Sequence, residues 1–358
     1  MVMKLDNLHY DFRRIDGYNK PFNIIISPRE AGKTSMAWLK KVYLPWTKTH
    51  KPWLYLVRNA NEITEALIDG IDIPINKFTE DNVKLIYSKS SLESGICDIY
   101  IEDKESHEKR LFVRILALSI KLRRIKLSLI PNIGGVLMDE YIIDPKSGEK
   151  YLKGEDMKIK EIYTTYRRES EGILKMYFLG NPYSLFNPLF MWLGVDTKKL
   201  KQGATLVGDQ YVVECYALKE ELKEQILRDN PLYEFDDSYK AYAFDGMAVN
   251  DMNIKIGTLP LNYSLRFIIR INNINIGIFK NDFFVDKCDK YFCKEIKGFS
   301  QDRNIFAFEF NDLVDRCVLV SLEERRKLEN FKNSFRKREV AFSNINIYYL
   351  VEEVYFNL

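Results

Sequence analysis

One stretch, Phe22-Asn-Ile-Ile-Ile-Ser-Pro-Arg-Glu-Ala-Gly-Lys-Thr34, limits what this chain can fold into more than any other. A short apolar run ends in a tight loop, and Thr34-Ser-Met-Ala-Trp-Leu-Lys-Lys41 then reads as a helix. Strand, loop, Gly-Lys-Thr and helix in that order are the parts of a phosphate-binding P-loop. Successive backbone N–H groups of such a loop make an anion nest, and the helix adds its positive N-terminal end. The motif predicts a cradle for ATP built from Ser27, Arg29, Glu30, Ala31, Gly32, Lys33, Thr34 and Ser35. Lys33 would bridge the β- and γ-phosphates, and the Thr34 hydroxyl would hold Mg²⁺. The full pattern is G-x-x-x-x-G-K-[ST], and its first position here is Ser27. Serine is expected to make that turn at a conformational cost, because glycine alone is free at positive φ. The alternative is a loop that merely contains Gly-Lys-Thr, which the flanking strand and helix disfavour.

The rest of the chain has the organisation such a motif needs. Trp53–Val57, Val83–Tyr87, Ile96–Ile101, Leu111–Leu118, Ile133–Met138 and Ile173–Leu179 read as strands, and Asn61–Ile68 and Met157–Arg168 as helices. A hairpin is placed around Glu105-Ser106-His107-Glu108. Apolar strands alternating with helices predict an α/β fold with a mostly parallel sheet buried on both faces. From about residue 250 the pattern turns strand-rich: Leu265–Ile271, Ile274–Lys280, Asp282–Asp286 and Ile305–Phe310, with a hairpin turn at Asn272-Asn273. Ser321–Arg338 reads as a basic helix and Ile345–Val351 as a last strand. The predicted division is an ATPase domain over 1–197, an ordered linker over 198–248 and a smaller domain over 249–358.

Composition narrows the chemistry. With 358 residues there is length for two cores. No apolar run approaches the ~20 residues needed to span a bilayer, and the first residues lack a signal-peptide core, so no membrane partner is expected. The five cysteines, Cys97, Cys215, Cys288, Cys293 and Cys317, are scattered, and no histidine lies near the one close pair. Free thiols in a reducing cytoplasm fit better than a zinc site. Only His9, His50 and His107 are present, which leaves little room for a histidine-based catalytic cluster. A net charge of +3 does not by itself announce a nucleic-acid partner, so any DNA contact has to come from local patches.

Four further constellations complete the reading. Gly135-Val-Leu-Met-Asp-Glu-Tyr141 is an apolar strand delivering two carboxylates at its end, the Walker B arrangement. Asp139 would hold Mg²⁺ and Glu140 would act as general base towards the attacking water. Its position after the P-loop, with strands between, indicates the additional-strand, catalytic-glutamate class of P-loop NTPase. Met176-Tyr-Phe-Leu-Gly-Asn-Pro182 ends a further strand at Asn181, placed to touch the γ-phosphate or the water; a plain Asn-Pro turn is the alternative. Arg167 and Arg168 close the helix before that strand, either as fingers reaching a neighbouring subunit's nucleotide or as ordinary helix-end cations. Lys121, Arg123, Arg124 and Lys126, interleaved with Leu and Ile, suit a reader of the DNA backbone or the charged face of an edge strand.

Together these residues resemble the double-stranded DNA packaging ATPases of small short-tailed bacteriophages, the Picovirinae type, compact relatives of the terminase large subunit. The resemblance rests on Ser27–Thr34, the strand ending at Arg58, Ser119 with its basic follow-on, Val136–Tyr141, Arg167/Arg168 and Asn181-Pro-Tyr-Ser-Leu-Phe-Asn-Pro-Leu-Phe190, and covers roughly 20–190. It implies a homo-oligomeric ring, usually a pentamer, acting on double-stranded DNA at the procapsid portal in the host cytoplasm, on a scaffold RNA in some members, and absent from the mature virion. It implies a C-terminal domain similar to an RNase H-like nuclease that has lost cleavage. The residues agree, since a two-metal nuclease needs carboxylates from neighbouring strands. Phe267-Ile-Ile-Arg-Ile271 carries Arg270 and no acid, and Asp282, Asp286 and Asp289 fall in and after one short segment. Another P-loop translocase or helicase, a nucleotide-gated assembly module and a nuclease-active terminase are the alternatives.

Overall fold

The computed structural model describes residues 8–79, 81–92, 94–102, 107–127, 129–144, 149–170, 172–183, 187–229, 254–271, 274–283, 289–297, 304–307, 312–314, 317–337 and 339–357. The chain divides into two compact units, Met1–Asn250 and Asp251–Leu358.

The first unit is built on nine strands: β1 (Phe22–Ile26), β2 (Trp53–Val57), β3 (Leu85–Ile86), β4 (Ile96–Glu102), β5 (Lys109–Ala117), β6 (Gly135–Met138), β7 (Met176–Gly180), β8 (Thr205–Val207) and β9 (Tyr211–Cys215). Their spatial order is β3-β4-β5-β2-β6-β7-β1-β9-β8. The six from β5 to β9 in that order run parallel, and β3, β4 and β8 are antiparallel additions at the edges. β1, β2, β6 and β7 are buried at every position, as strands covered on both faces must be. Alternation along β2 sends Tyr55 into one core, with Trp38 and Leu39, and Leu54 and Leu56 into the other, with Met138 and Phe178. β7 follows β6 in sequence but lies between β6 and β1. Its C-terminal end therefore falls between the ends of the P-loop strand and the Asp139 strand, the arrangement expected of the additional-strand class.

One expectation and one alternative differ from the structure. The segment expected to begin a linker at 198 instead extends the sheet: β9 pairs in parallel with β1 along its whole length, and β8 pairs with β9. An open edge at β1 would leave a row of buried N–H and C=O groups unpaired, and β9 satisfies them. The stretch holding Lys121, Arg123, Arg124 and Lys126 is the helix Leu122–Leu127, not an edge strand; Ile125 is buried at helical spacing from half-buried Leu122.

The second unit holds β10 (Tyr263–Ile271), β11 (Ile274–Asn281), β12 (Tyr291–Glu295), β13 (Ile305–Ala307), β14 (Cys317–Leu319) and β15 (Val340–Phe342) in the order β14-β13-β10-β11-β12-β15. β10, β11 and β12 form an antiparallel meander, flanked by parallel strands. The helix Leu322–Arg336 lays Phe331 against Phe267 and Tyr291, at ring separations of 5.8 and 5.3 Å. Ile345–Val351, expected as a strand, lies within the helix Ile345–Asn357. The Ile347 N–H donates to Asn344 Oδ1 at 3.1 Å, an N-cap, and Ile347, Leu350 and Val351 are buried at helical spacing. The hairpin at 105–108, the turn at 272–273, Asp286 and Cys288 lie wholly or partly outside the described residues. Cys97, Cys215 and Cys293 are buried free thiols and Cys317 is a half-buried one. Among the described residues no helix is long and apolar enough to cross a membrane.

Candidate nucleotide site

Because β1, β6 and β7 are adjacent and parallel, the loops leaving their C-terminal ends meet at one edge of the sheet. The loop after β1 turns through two residues in left-handed backbone, Glu30 at φ 62° and Gly32 at φ 73°. A Cβ at Gly32 would stand 2.4 Å from the His9 ring, so this position requires glycine both for its backbone and for the close approach. Ser27 is not among the residues at positive φ. Its N–H donates to the Gly180 carbonyl at 3.1 Å, prolonging the β1–β7 ladder by one step. The turn thus starts later than the motif suggests, and the backbone cost expected at Ser27 falls on Glu30. The loop continues into a helical segment made of α-helix Lys33–Met36, a π-helical stretch Ala37–Tyr43 and α-helix Leu44–Thr49. Ser35 is half-buried in its first turn.

An N-terminal arm and the chain after β9 hold this loop from behind. The Tyr10 N–H donates to the Ala31 carbonyl at 2.9 Å, and the Tyr10 hydroxyl donates to Glu214 Oε2 of β9 at 2.7 Å. Ala31 itself is buried against Leu218, Leu222 and Ile226. No local pattern in the sequence marks this clamp.

The three strand ends touch directly. Lys33 Nζ donates to Asn181 Oδ1 at 2.6 Å, both residues buried. The Thr34 hydroxyl donates to Asp139 Oδ2 at 2.6 Å. The Glu140 N–H donates to Asp139 Oδ1 at 2.9 Å. The Thr34 hydroxyl and the Asp139 carboxylate are hard oxygen donors already side by side, and such a pair suits Mg²⁺, which keeps most of its waters and takes one or two protein oxygens. Burial pushes the Lys33 ammonium pKa down, and Asp139 and Glu140 oppose that shift. Glu140 is open to solvent at its edge, yet the protein packed around its carboxyl, and then Asp139, push its pKa above the ordinary 4.5. Lys33 and Arg29 pull the other way.

Glu140 sits at φ 50°, a strained setting for a side chain of its size. The next carbonyl, that of Tyr141, accepts from Arg58 Nη2 at 2.9 Å, and the same guanidinium pairs with Glu155 through two bonds of 2.9 and 3.0 Å. Both partners are buried. In the sequence Arg58 marks only the end of a strand, and no local signal names Glu155 as its partner. Arg29 is exposed, and its Nη2 donates to the Tyr183 hydroxyl at 2.6 Å.

Arg167 and Arg168 are not at this edge. Their helix, Glu155–Arg167, starts beside Arg58 at the C-terminal end of β2 and runs back along the sheet. Its 13 residues span about 20 Å at 1.5 Å per residue. Both arginines are exposed, Arg167 lying 5.9 Å from the Tyr163 ring centre. The helix Leu122–Leu127 follows the C-terminal end of β5, which is parallel to β2, so it starts at the same edge as the site and runs back beside the helix Glu155–Arg167. Lys121, Arg123, Arg124 and Lys126 are all exposed, and Lys126 pairs with Glu161 at 2.8 Å. In the second unit, Asp282 pairs with Arg266 at 2.7 Å and Asp289 pairs with Lys255. Among the described residues no group of three or more His, Cys, Asp or Glu could hold a metal.

Among solved structures, the bacteriophage Phi-29 viral genome packaging motor assembly contains a chain similar to this one with a TM-score of 0.67 and 17% identity, over 98% of this chain and 99% of that chain. The Phi-28 gp11 DNA packaging motor is similar with a TM-score of 0.63 and 16% identity, over 98% of this chain and 97% of that one. No family model and no curated protein sequence matches. At these identities the likeness establishes the fold: the arrangement of a mostly parallel sheet unit and a smaller sheet unit described above is shared with these chains over nearly their whole length.

Proposed function

We propose that the protein is an ATPase that drives double-stranded DNA into a procapsid as one subunit of a ring motor. The observation carrying this reading is the meeting of Thr34 with Asp139 at 2.6 Å beside the buried Lys33–Asn181 contact. It joins three strand ends into a single site of the kind that hydrolyses a nucleoside triphosphate. The N–H groups of the loop and Lys33 bind the phosphates, Lys33 exchanging Asn181 for a phosphate oxygen. Thr34 and Asp139 would hold Mg²⁺, which when bound neutralises charge between the β- and γ-phosphates. Glu140 takes the proton of the attacking water, and its raised pKa makes it a stronger base than an ordinary carboxylate. Asn181, released from Lys33, is left to report the γ-phosphate to the rest of the sheet.

The arginines bear on assembly. Because Arg167 and Arg168 lie at the far end of their helix from their own site, a second copy has to present them for either to act as a finger. A ring meets that requirement, and a pentamer is the number the resemblance implies. The exposed cations Lys121, Arg123, Arg124 and Lys126, on a helix that starts at the nucleotide edge, would grip a duplex backbone. The second unit, whose acids Asp282 and Asp289 are paired with cations, serves as a contact module without cleavage activity. Portal contact, a scaffold RNA and action in the host cytoplasm belong to the same reading.

The test is phosphate release from ATP measured with and without long duplex DNA, alongside the mass of the assembled particle. Hydrolysis stimulated by duplex DNA in a particle of several subunits supports the motor. Binding without turnover would leave a nucleotide-gated assembly module, and strand separation on a tailed duplex would indicate a helicase.

A further inference from the structure

Tyr183 belongs to none of the roles above, yet its position is unusual. Its ring is half-buried against the core that contains Tyr141 and Phe178, while its hydroxyl accepts from the P-loop guanidinium of Arg29 at 2.6 Å. Two residues earlier, Asn181 accepts from the other P-loop cation, Lys33, at 2.6 Å. The two acceptors sit on one tight turn: the Tyr183 N–H donates to the Asn181 carbonyl at 2.8 Å, closing a three-residue loop around buried Pro182. An i→i+2 turn with proline at its centre is stiff, since the ring fixes the central φ. The turn after β7 is thus fastened to the P-loop by two charge-assisted bonds whose geometries are not independent.

From this we infer that Tyr183 is a positioning residue that parks Arg29 away from the phosphates, so that the turn Asn181–Tyr183 acts as a double latch on the P-loop. The inference rests on the ATP reading of the site. Phosphate needs both cations, and it competes with a carbonyl oxygen at Lys33 and with a phenol oxygen at Arg29. Because the turn is stiff, losing one tie weakens the other, and the turn leaves as a unit when the site fills. Arg29 is exposed and sits in the same loop as Lys33, so its side chain has room to leave Tyr183 for the phosphates. The latch state costs binding energy, since the Arg29–Tyr183 bond must be broken before the guanidinium is available.

The sign of the effect makes this testable. Tyr183→Phe keeps the ring in its core and removes only the hydroxyl, so a merely structural role predicts no change or weaker binding. A latch predicts tighter binding: the full-length protein titrated with AMP-PNP and Mg²⁺ should show a Kd about fivefold lower, the size of a typical net hydrogen bond of ~1 kcal/mol. In steady state, KM for ATP should fall by a similar factor while kcat does not rise. In an Arg29→Ala background, Tyr183→Phe should leave the Kd within the error of the measurement. An unchanged or raised Kd in the single variant, or an equal effect in the Arg29→Ala background, overturns the latch. If the unmodified protein fails to bind AMP-PNP at all, the ATP reading itself falls, an outcome separable from failure of the latch alone.

Discussion

The two sheets of this chain handle their polar strand ends in opposite ways. In the first unit six neighbouring strands run parallel, so their C-terminal ends open at one edge. Lys33, Thr34, Asp139, Glu140 and Asn181 come from three different strand ends and still meet within hydrogen-bond distance. In the second unit the core strands β10, β11 and β12 are antiparallel, and successive ends alternate between edges. Two described acids near the β11–β12 connection have basic partners, Asp282 with Arg266 and Asp289 with Lys255. Parallelism concentrates charge that has to be used; the meander disperses charge that can be neutralised pairwise. A carboxylate therefore carries different meanings in the two units, and substitutions can break the distinction.

The largest expected effect lies in the residues that the parallel sheet does not bring to its own site. Replacing both Arg167 and Arg168 with Ala should lower DNA-stimulated hydrolysis by ~10³–10⁵-fold, the size of a missing arginine finger. Rings mixed from this variant and Glu140→Gln subunits should recover part of the activity, because each supplies what the other lacks. Absence of recovery across all mixing ratios would place the arginines outside the chemistry. Next in size, Glu140→Gln alone should reduce kcat by about 10²–10⁴-fold while AMP-PNP binding persists. Glu140 must be deprotonated to act, and its pKa is raised above 4.5. The acid limb of the kcat/KM profile should therefore fall at higher pH than an ordinary carboxylate would give, and the residual activity of Glu140→Gln should lack that limb. A limb that survives the substitution would belong to another group.

Much of the first unit is legible in the sequence for the reason that makes its site possible. A parallel strand buried on both faces reads as a continuous apolar run, as in Ile24–Ile26, Trp53–Val57 and Met176–Gly180, and the first polar residue after each lies at the edge that holds the candidate site. What stays hidden is pairing across long separations. Nothing local in Tyr211–Cys215 says that it lies beside β1, and nothing in Arg58 names Glu155. Even Ser27 was misleading as a motif residue: its backbone is fixed by Gly180, from a strand far along the chain. In the second unit the failure is of another kind. Ile345-Asn-Ile-Tyr-Tyr-Leu-Val351 is rich in β-branched and aromatic residues, and short apolar runs of this composition suit strand and helix alike.

The smallest effect tests what resolves that ambiguity. Asn344 caps the terminal helix through the Ile347 N–H, and a helix start without such a cap leaves backbone donors unsatisfied. Asn344→Ala should cost about 1 kcal/mol, and for a domain near 100 residues this lowers the melting temperature by roughly 4–8 °C. The change should appear in the transition that unfolds the second unit, and turnover below that transition should keep its Glu140-dependent rate, because Lys33, Thr34, Asp139, Glu140 and Asn181 all belong to Met1–Asn250. A Gly substitution at the same position should cost only a few tenths of a kcal/mol, since glycine tolerates the cap backbone. If Asn344→Ala left the transition unmoved, the helix would be held by the burial of Ile347, Leu350 and Val351 alone, and composition would have misled for reasons of packing, not capping.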